Sequence, residues 1–233
     1  MAKYENIRAL AKKQLQTVTE SSDRWKEFLR TAAIAYNYSF PNQLLIYAQN
    51  PTATAVADMD YWNKNAGRRV KRGAHGTAVF DTRANSPRLR YLFDISDTIP
   101  RAEVPDALPW VITDQNWRPV WDKIVADNHA DSIQSALLML STSCVAQRSA
   151  MFTTALGKAI DGSSLQWAKP DEQRQLFIQL ITQSCLYMAA LRCGVDTARL
   201  DLSALESVNQ FDTNRIAPVS YTHLRAHETT LHL

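Results

Sequence analysis

Apolar side chains recur every three or four residues along most of this chain. In residues 4–20 the repeat is Ile7, Leu10, Ala11, Leu15 and Val18, which is typical of a helix with one buried face. The same periodicity predicts further helices at residues 22–36, 40–49, 58–65, 117–128, 131–145, 148–160, 171–193 and 202–211. The helix at 40–49 is apolar on most sides, so we expect it at the centre of the fold.

Shorter alternating segments between these helices predict three strands. Residues 68–72 and 77–82 are expected to pair as a hairpin through a Gly-Ala-His-Gly turn at 73–76. Leu89, Tyr91 and Phe93 alternate with Arg88, Arg90 and Leu92, which predicts a third strand with one basic face. The expected fold class is therefore α+β, with helices packed on a small antiparallel sheet, followed by an all-α region.

Three prolines at positions 100, 105 and 109 indicate a linker between two domains. We expect an α+β domain in residues 1–104 and a helical domain in residues 105–217. The apolar runs of the second domain, 137–140 and 176–188, are expected to form the core of a helical bundle. The cysteines Cys144, Cys185 and Cys193 are expected to act there as small buried hydrophobic residues.

Residues 218–233 are expected to lie outside the natural protein. The segment 219–229 closely resembles the translated read-through of a sequencing-library adapter, so we leave it out of the fold prediction. We expect the natural reading frame to continue differently after about Ala217. His227 and His232 lie five residues apart, whereas a zinc-protease helix needs histidines four apart, so no metal site is predicted there.

The positive charge of the chain is concentrated in one region. The net charge is only +3, but residues 61–101 contain nine Lys and Arg against three Asp, a local balance of +6. The remainder of the chain therefore carries about −3, and the local excess predicts a basic surface. Three cysteines without a Cys-x-x-Cys pair argue against a disulfide framework or a zinc site, and no segment is apolar enough to cross a membrane. We expect a cytoplasmic protein without a membrane partner.

Four segments of the N-terminal half resemble known proteins of mobile elements. These are Tyr-Ser-Phe-Pro-Asn-Gln-Leu-Leu-Ile-Tyr-Ala-Gln at 38–49, Trp62, Gly-Arg-Arg-Val-Lys-Arg-Gly at 67–73, and Leu-Phe-Asp-Ile-Ser-Asp-Thr at 92–98. Together they resemble the N-terminal region of large conjugative-element proteins that carry helicase or DNA-methylase parts downstream. They also resemble a divergent form of the N-terminal single-stranded-DNA-binding domain of the ArdC antirestriction family. The resemblance covers about residues 25–98 and continues more weakly to 213.

The resemblance implies a DNA-binding module of a truncated mobile-element protein, with the downstream domains of the parent protein as further partners. The ArdC metallopeptidase helix, a P-loop and a methyltransferase motif have no counterpart in this sequence. We therefore predict no catalytic residue, no cofactor and no metal. Two alternatives remain open: a protein-interaction or scaffold domain of a conjugative-element protein, and the N-terminal fragment of a helicase, methylase or peptidase.

The candidate DNA-binding residues combine basic, aromatic and amide side chains. Glycines in the turn allow backbone N–H groups to approach phosphates, cations neutralise them, and tyrosine rings stack on bases. The candidates are Arg68, Arg69, Lys71, Arg72, Lys64, Arg88, Arg90, Tyr38, Tyr61, Asn42 and Gln43.

Most of these residues also have a purely structural interpretation. The basic residues could form an ordinary solvated hairpin, and for the two amides helix capping is favoured. A core position is favoured for Trp62 and Tyr47, whereas Tyr38 and Tyr61 are left open between core and surface. Asp94 and Asp97 are expected to shape turns or cap helices.

Overall fold

A computed structural model describes residues 2–81, 86–101, 112 and 115–212, with the backbone alone at 149–152 and 154–155. The helices are α1 (Ala2–Val18), α2 (Ser22–Ile34), α3 (Phe40–Gln49), α4 (Met59–Lys64), α5 (Trp117–Asp127), α6 (Ile133–Ala146), α7 (Ser149–Ile160) and α8 (Pro170–Arg192). The strands are β1 (Val56–Asp58), β2 (Arg68–Val70), β3 (Thr77–Phe80), β4 (Leu89–Asp94) and β5 (Thr98–Pro100). Short 3₁₀ helices occupy Ile95–Asp97, Thr197–Arg199 and Ser203–Gln210. The predicted α+β fold class is confirmed, whereas the predicted adapter-like tail and the boundary near residue 104 lie outside the described residues.

Local sequence explains where several helices begin. The Ser21 side chain accepts a hydrogen bond from the Arg24 N–H at the start of α2, and Ser132 does the same for Ser135 at the start of α6. Pro41 and Pro170 lie in the first turns of α3 and α8, where a missing N–H has no consequence. These signals are local, which is why the helices agree closely with the predicted ranges.

Within the described residues, the strands form two separate antiparallel sheets instead of the predicted single hairpin sheet. One sheet has the order β1-β4-β3, and the other pairs β2 with β5. The expected hairpin of β2 with β3 is therefore wrong: β3 pairs with β4, and Arg69 of β2 lies opposite Ile99. The physical reason is burial. Residues 77–79 are at most 8% exposed, whereas the charged side chains of β2 could not enter that interior without losing their hydration.

Helix α3 covers the outer edge of strand β3 with two side-chain amides. Asn42 Nδ2 donates to the Phe80 carbonyl at 2.9 Å, and the Phe80 N–H donates to Asn42 Oδ1 at 2.9 Å. Gln49 makes the same pair of bonds with Ala78, at 2.9 and 3.0 Å. Residues seven apart lie on the same side of a helix, so both amides face β3 and satisfy an edge that has no partner strand among the described residues.

The largest apolar core joins the two halves of the chain. It contains Phe28 and Phe40 from α2 and α3 together with Phe177 and Tyr187 from α8. A buried hydrogen bond of 3.0 Å from Trp25 Nε1 to Ser184 Oγ crosses the same contact. The two predicted domains therefore share one core across the predicted boundary. Tyr47, for which a core position is favoured, is only partly buried: it packs against the margin of this core, and its hydroxyl donates to Glu27 Oε2 at 3.0 Å.

A second core lies between α5, α6 and α8 and contains Ile124, Leu137, Leu186 and Cys193. The expectation for the apolar run at 137–140 holds only in part, because Leu138 and Met139 are 47% and 51% exposed. Two cysteines behave as expected: burial raises the pKa of Cys185 to about 12 and that of Cys193 to about 11. Cys144 is only half-buried.

None of the described helices is both long and apolar enough to cross a membrane.

Candidate nucleic-acid interface

Helix α4 is the short element around which most of the candidate residues are arranged. Asp58 begins it by accepting a hydrogen bond from the Tyr61 N–H at 2.9 Å. Trp62 is fully buried, and its Nε1 donates to the Phe93 carbonyl at 2.9 Å, which attaches the helix to the central sheet. The core position favoured for Trp62 is thus confirmed.

The anchoring of Trp62 determines where the other side chains of α4 lie. At about 100° per residue, Met59 and Asn63 project to one side of Trp62 and Tyr61 to the other. Asp60 and Lys64 lie on the outer face, where they form an ion pair of 3.4 Å. The helix consequently separates two grooves of different character.

The groove on the Met59 side, which we call the cationic groove, is open and has a volume of about 330 Å³. It is lined by Met59, Asn63, Arg69, Val70, Lys71, Arg72, Gly73, Ala74 and Phe93. Its outer wall is the turn from Lys71 to Ala74, closed by the Ala74 N–H donating to the Lys71 carbonyl at 3.2 Å. Gly73, with φ of +83°, occupies the third position of this turn, where a side chain would be strained.

The charges in the cationic groove are not neutralised by any carboxylate that the structure describes. Arg69, Lys71 and Arg72 are exposed, and none of the ion pairs found within the described residues involves them. The Lys71 ammonium donates to the Ser96 carbonyl at 2.7 Å, a neutral acceptor that leaves the positive charge in place. Arg68 differs from these three residues. It is half-buried, and its Nε donates to Thr98 Oγ1 at 2.6 Å, which stabilises the pairing of β2 with β5.

The groove on the Tyr61 side, which we call the neutral groove, has a volume of about 240 Å³. It is lined by Asn37, Tyr38, Val56, Ala57, Asp58, Tyr61 and Arg90. Arg90 forms an ion pair of 3.7 Å with Asp58, and its guanidinium lies 5.3 Å from the centroid of the Tyr38 ring. Burial, followed by the nearby Tyr36, raises the pKa of the Tyr61 phenol above its ordinary value.

The predicted basic face of the third strand is wrong. Arg90 shares its face of β4 with Leu92, which is fully buried beneath α3, so the guanidinium is partly covered and paired with Asp58. Arg88 is exposed just before β4, at the opposite end of that strand from Phe93. The five residue steps from Arg88 to Phe93 span about 17 Å of extended chain, which keeps Arg88 away from the cationic groove.

The two predicted amides are structural residues. Asn42 is 1% exposed and bonded to β3, whereas Gln43 is fully buried and its Nε2 donates to the Ala35 carbonyl at 3.0 Å. Neither side chain reaches the surface, and neither caps α3. Their location in the interior is a correction to the candidate list.

The grooves are also lined by residues that were not predicted from the sequence: Asn37, Asp58, Met59, Asn63 and Phe93. The i, i+4 spacing of Met59 and Asn63 was a usable signal, since it places both on one side of a helix. Asn37 and Asp58 carried no such signal, because they meet only after β1 and α4 are in place.

Within the described residues, no group of three or more His, Cys, Asp or Glu side chains is arranged to hold a metal ion. Asp94 is buried and accepts hydrogen bonds from the N–H groups of Thr54, Ala55 and Ser96, at 2.8 to 3.0 Å, so its expected turn-forming and capping role is confirmed.

Compared by sequence and by structure, the chain matches no protein family, no curated protein and no solved structure.

Proposed function

We propose that this chain binds single-stranded DNA without sequence preference, as the N-terminal module of a mobile-element protein. The observation that carries the proposal is the cationic groove. Arg69, Lys71 and Arg72 line one open groove and have no carboxylate partner within the described residues. A polyanion is the ligand that such a surface attracts most strongly.

The shape of the groove favours one strand over a duplex. A volume of about 330 Å³ is at the lower end of the range for small-ligand pockets and accommodates a short length of sugar and phosphate. The guanidinium groups of Arg69 and Arg72 offer paired donors that match phosphate oxygens. Contacts of this kind hold the backbone and carry no sequence information, so the binding is independent of sequence.

The resemblance of residues 38–49, 62, 67–73 and 92–98 to conjugative-element proteins and to the ArdC N-terminal domain supports the same function. Two of these segments meet at the cationic groove, which residues 69–73 and Phe93 both line. Helix α3, which forms most of the segment at 38–49, lies elsewhere, because it covers the outer edge of β3. We therefore assign DNA contact to α4 and the Lys71–Ala74 turn, and fold support to α3.

The experiment measures binding of a fluorescent mixed-sequence single strand by the double variant Arg69→Gln, Arg72→Gln over a range of salt concentrations. We expect weaker binding at low salt, because two cations that neutralise phosphates are lost. The slope of log affinity against log salt should become shallower by about 1.4, or about 0.7 for each phosphate contact removed.

The matched control is Lys12→Gln, Lys13→Gln, which removes the same charge from exposed positions on α1. This control should bind nearly as well as the unmodified protein. Equal losses in the two double variants would mean that net charge alone governs binding, and would reject the groove as the site. An unlabelled duplex of the same length should compete less effectively than the single strand.

A further inference from the structure

We infer that the neutral groove receives one unstacked nucleobase of the strand whose phosphates lie in the cationic groove. This inference rests on the proposed function and adds a second, chemically different subsite to it. The walls of the neutral groove include two tyrosine rings, Tyr38 and Tyr61, and its floor contains the apolar residues Val56 and Ala57.

Charge separates the two subsites. The neutral groove contains one cation and one anion, Arg90 and Asp58, which lie 3.7 Å apart and cancel each other at a distance. A phosphate therefore gains little electrostatic stabilisation in the neutral groove, where the Asp58 carboxylate would repel it. An uncharged base meets no such repulsion, and its flat face can stack on the tyrosine rings.

The polar groups of the neutral groove are those that read the edge of a base. Asn37 is exposed and offers both an amide donor and an amide acceptor. The Nε of Arg90 is buried and has no hydrogen-bond partner within the described part of the chain. A buried N–H without a partner is costly, so the guanidinium gains if it shifts to meet an acceptor on the base edge.

The two grooves are close enough for one strand to use both. Helix α4 borders both, with Met59 and Asn63 in the cationic groove and Tyr61 in the neutral groove, and a helix with its side chains is about 10–12 Å across. That distance corresponds to a few nucleotides of a single strand. A duplex could not make this contact without opening, since its bases are stacked and paired.

The experiment compares two ligands of equal length, a mixed-sequence single strand and a chain of abasic sugars joined by the same phosphates. The unmodified protein should bind the normal strand at least about tenfold more tightly, as loss of one stacked base predicts. Tyr61→Leu retains an apolar side chain beside Trp62 but removes the aromatic ring. It should weaken binding of the normal strand by about tenfold and leave binding of the abasic chain unchanged.

Tyr91→Leu is the matched control, because Tyr91 is 40% exposed and lines neither groove. Asn37→Ala, at an exposed position, tests the same subsite if Tyr61→Leu folds poorly, and it should also weaken binding of the normal strand only. The charge variant Arg69→Gln, Arg72→Gln should weaken binding of both ligands.

Equal affinity of the unmodified protein for the two ligands would overturn the base subsite and leave the proposed function standing. An equal loss of affinity for both ligands in Tyr61→Leu would likewise overturn the base subsite and leave the proposed function standing. Failure of the unmodified protein to bind either ligand at low salt would overturn the subsite and the proposed function together.

Discussion

Asp94 is the clearest example of a single residue that organises its surroundings. Its carboxylate, although buried, joins the loop before β1 to the 3₁₀ helix Ile95–Asp97 through backbone N–H donors. Burial alone would raise its pKa, but hydrogen bonds from Ser96, Ala55 and Thr54 together outweigh burial, so the pKa lies below its ordinary value. The charged form is therefore the form that the fold requires.

We expect Asp94→Asn to lower the free energy of unfolding at pH 7 by about 1–3 kcal/mol, because an amide cannot accept all of these bonds. A folded-state pKa below the unfolded value of about 3.9 means that the carboxylate stabilises the fold above that pH. The stabilisation is lost as the pH falls through the lower folded-state pKa.

Denaturant unfolding of both proteins at several pH values checks this expectation. The difference in free energy of unfolding between the unmodified protein and Asp94→Asn should be largest near neutral pH and should shrink in acid. Asp201→Asn, at a fully exposed turn, is the control and should change stability much less. A difference that grows in acid would contradict the assignment.

At the scale of elements, the relation of α3 to β3 shows how a helix can replace a partner strand. Asn42 and Gln49 make equivalent bonds to the strand, but Asn42 is buried and Gln49 is exposed. Water can replace a lost bond only at the exposed position. The two amides should therefore differ in their contribution to stability even though their hydrogen bonds are alike.

We expect Asn42→Ala to destabilise the protein by about 1–3 kcal/mol, since it leaves the Phe80 N–H and carbonyl without partners. Gln49→Ala should cost about 1 kcal/mol or less, because removal of the exposed Gln49 side chain opens the Ala78 N–H and carbonyl to water. Denaturant midpoints provide the measurement, with Lys13→Ala as a control for truncating an exposed helical side chain. Equal effects at positions 42 and 49 would show that solvent access does not set the cost.

At the scale of the whole molecule, the N-terminal and C-terminal halves depend on one core. Phe177 of α8 is 1% exposed, lies 5.5 Å from the ring of Phe211, and belongs to the same cluster as Phe28 and Phe40. Helix α2, whose Phe28 enters this core, is therefore stabilised by residues far along the chain. The region that carries the grooves is expected to unfold together with the helical region.

We expect Phe177→Ala to lower the free energy of unfolding by about 3–5 kcal/mol through loss of buried contacts and formation of a cavity. Hydrogen exchange should then increase in α2 and α3 as much as in α8, because one cooperative unit is weakened. The control is Trp167→Ala, at a position that is 89% exposed, which should leave exchange nearly unchanged. Faster exchange confined to α8 would instead indicate two independent units.

The sequence alone determined the features that depend on neighbours a few residues apart. Helical periodicity, the capping serines, the prolines of α3 and α8 and the glycine turn after β2 are all local, so the helices and the α+β class could be predicted. The concentration of cations at 61–101 is likewise a property of the sequence, which can be counted directly. Three of the predicted basic residues do line one groove.

Only the tertiary structure decided which segments meet. Strand β2 pairs with β5 about thirty residues later, and no local pattern distinguishes that partner from the nearer β3. The pattern of polar residues likewise could not show that Asn42 and Gln43 are buried, since an amide suits the surface or a buried strand edge equally well. The two grooves exist because Trp62 enters the core and turns α4, which is a consequence of packing between distant residues.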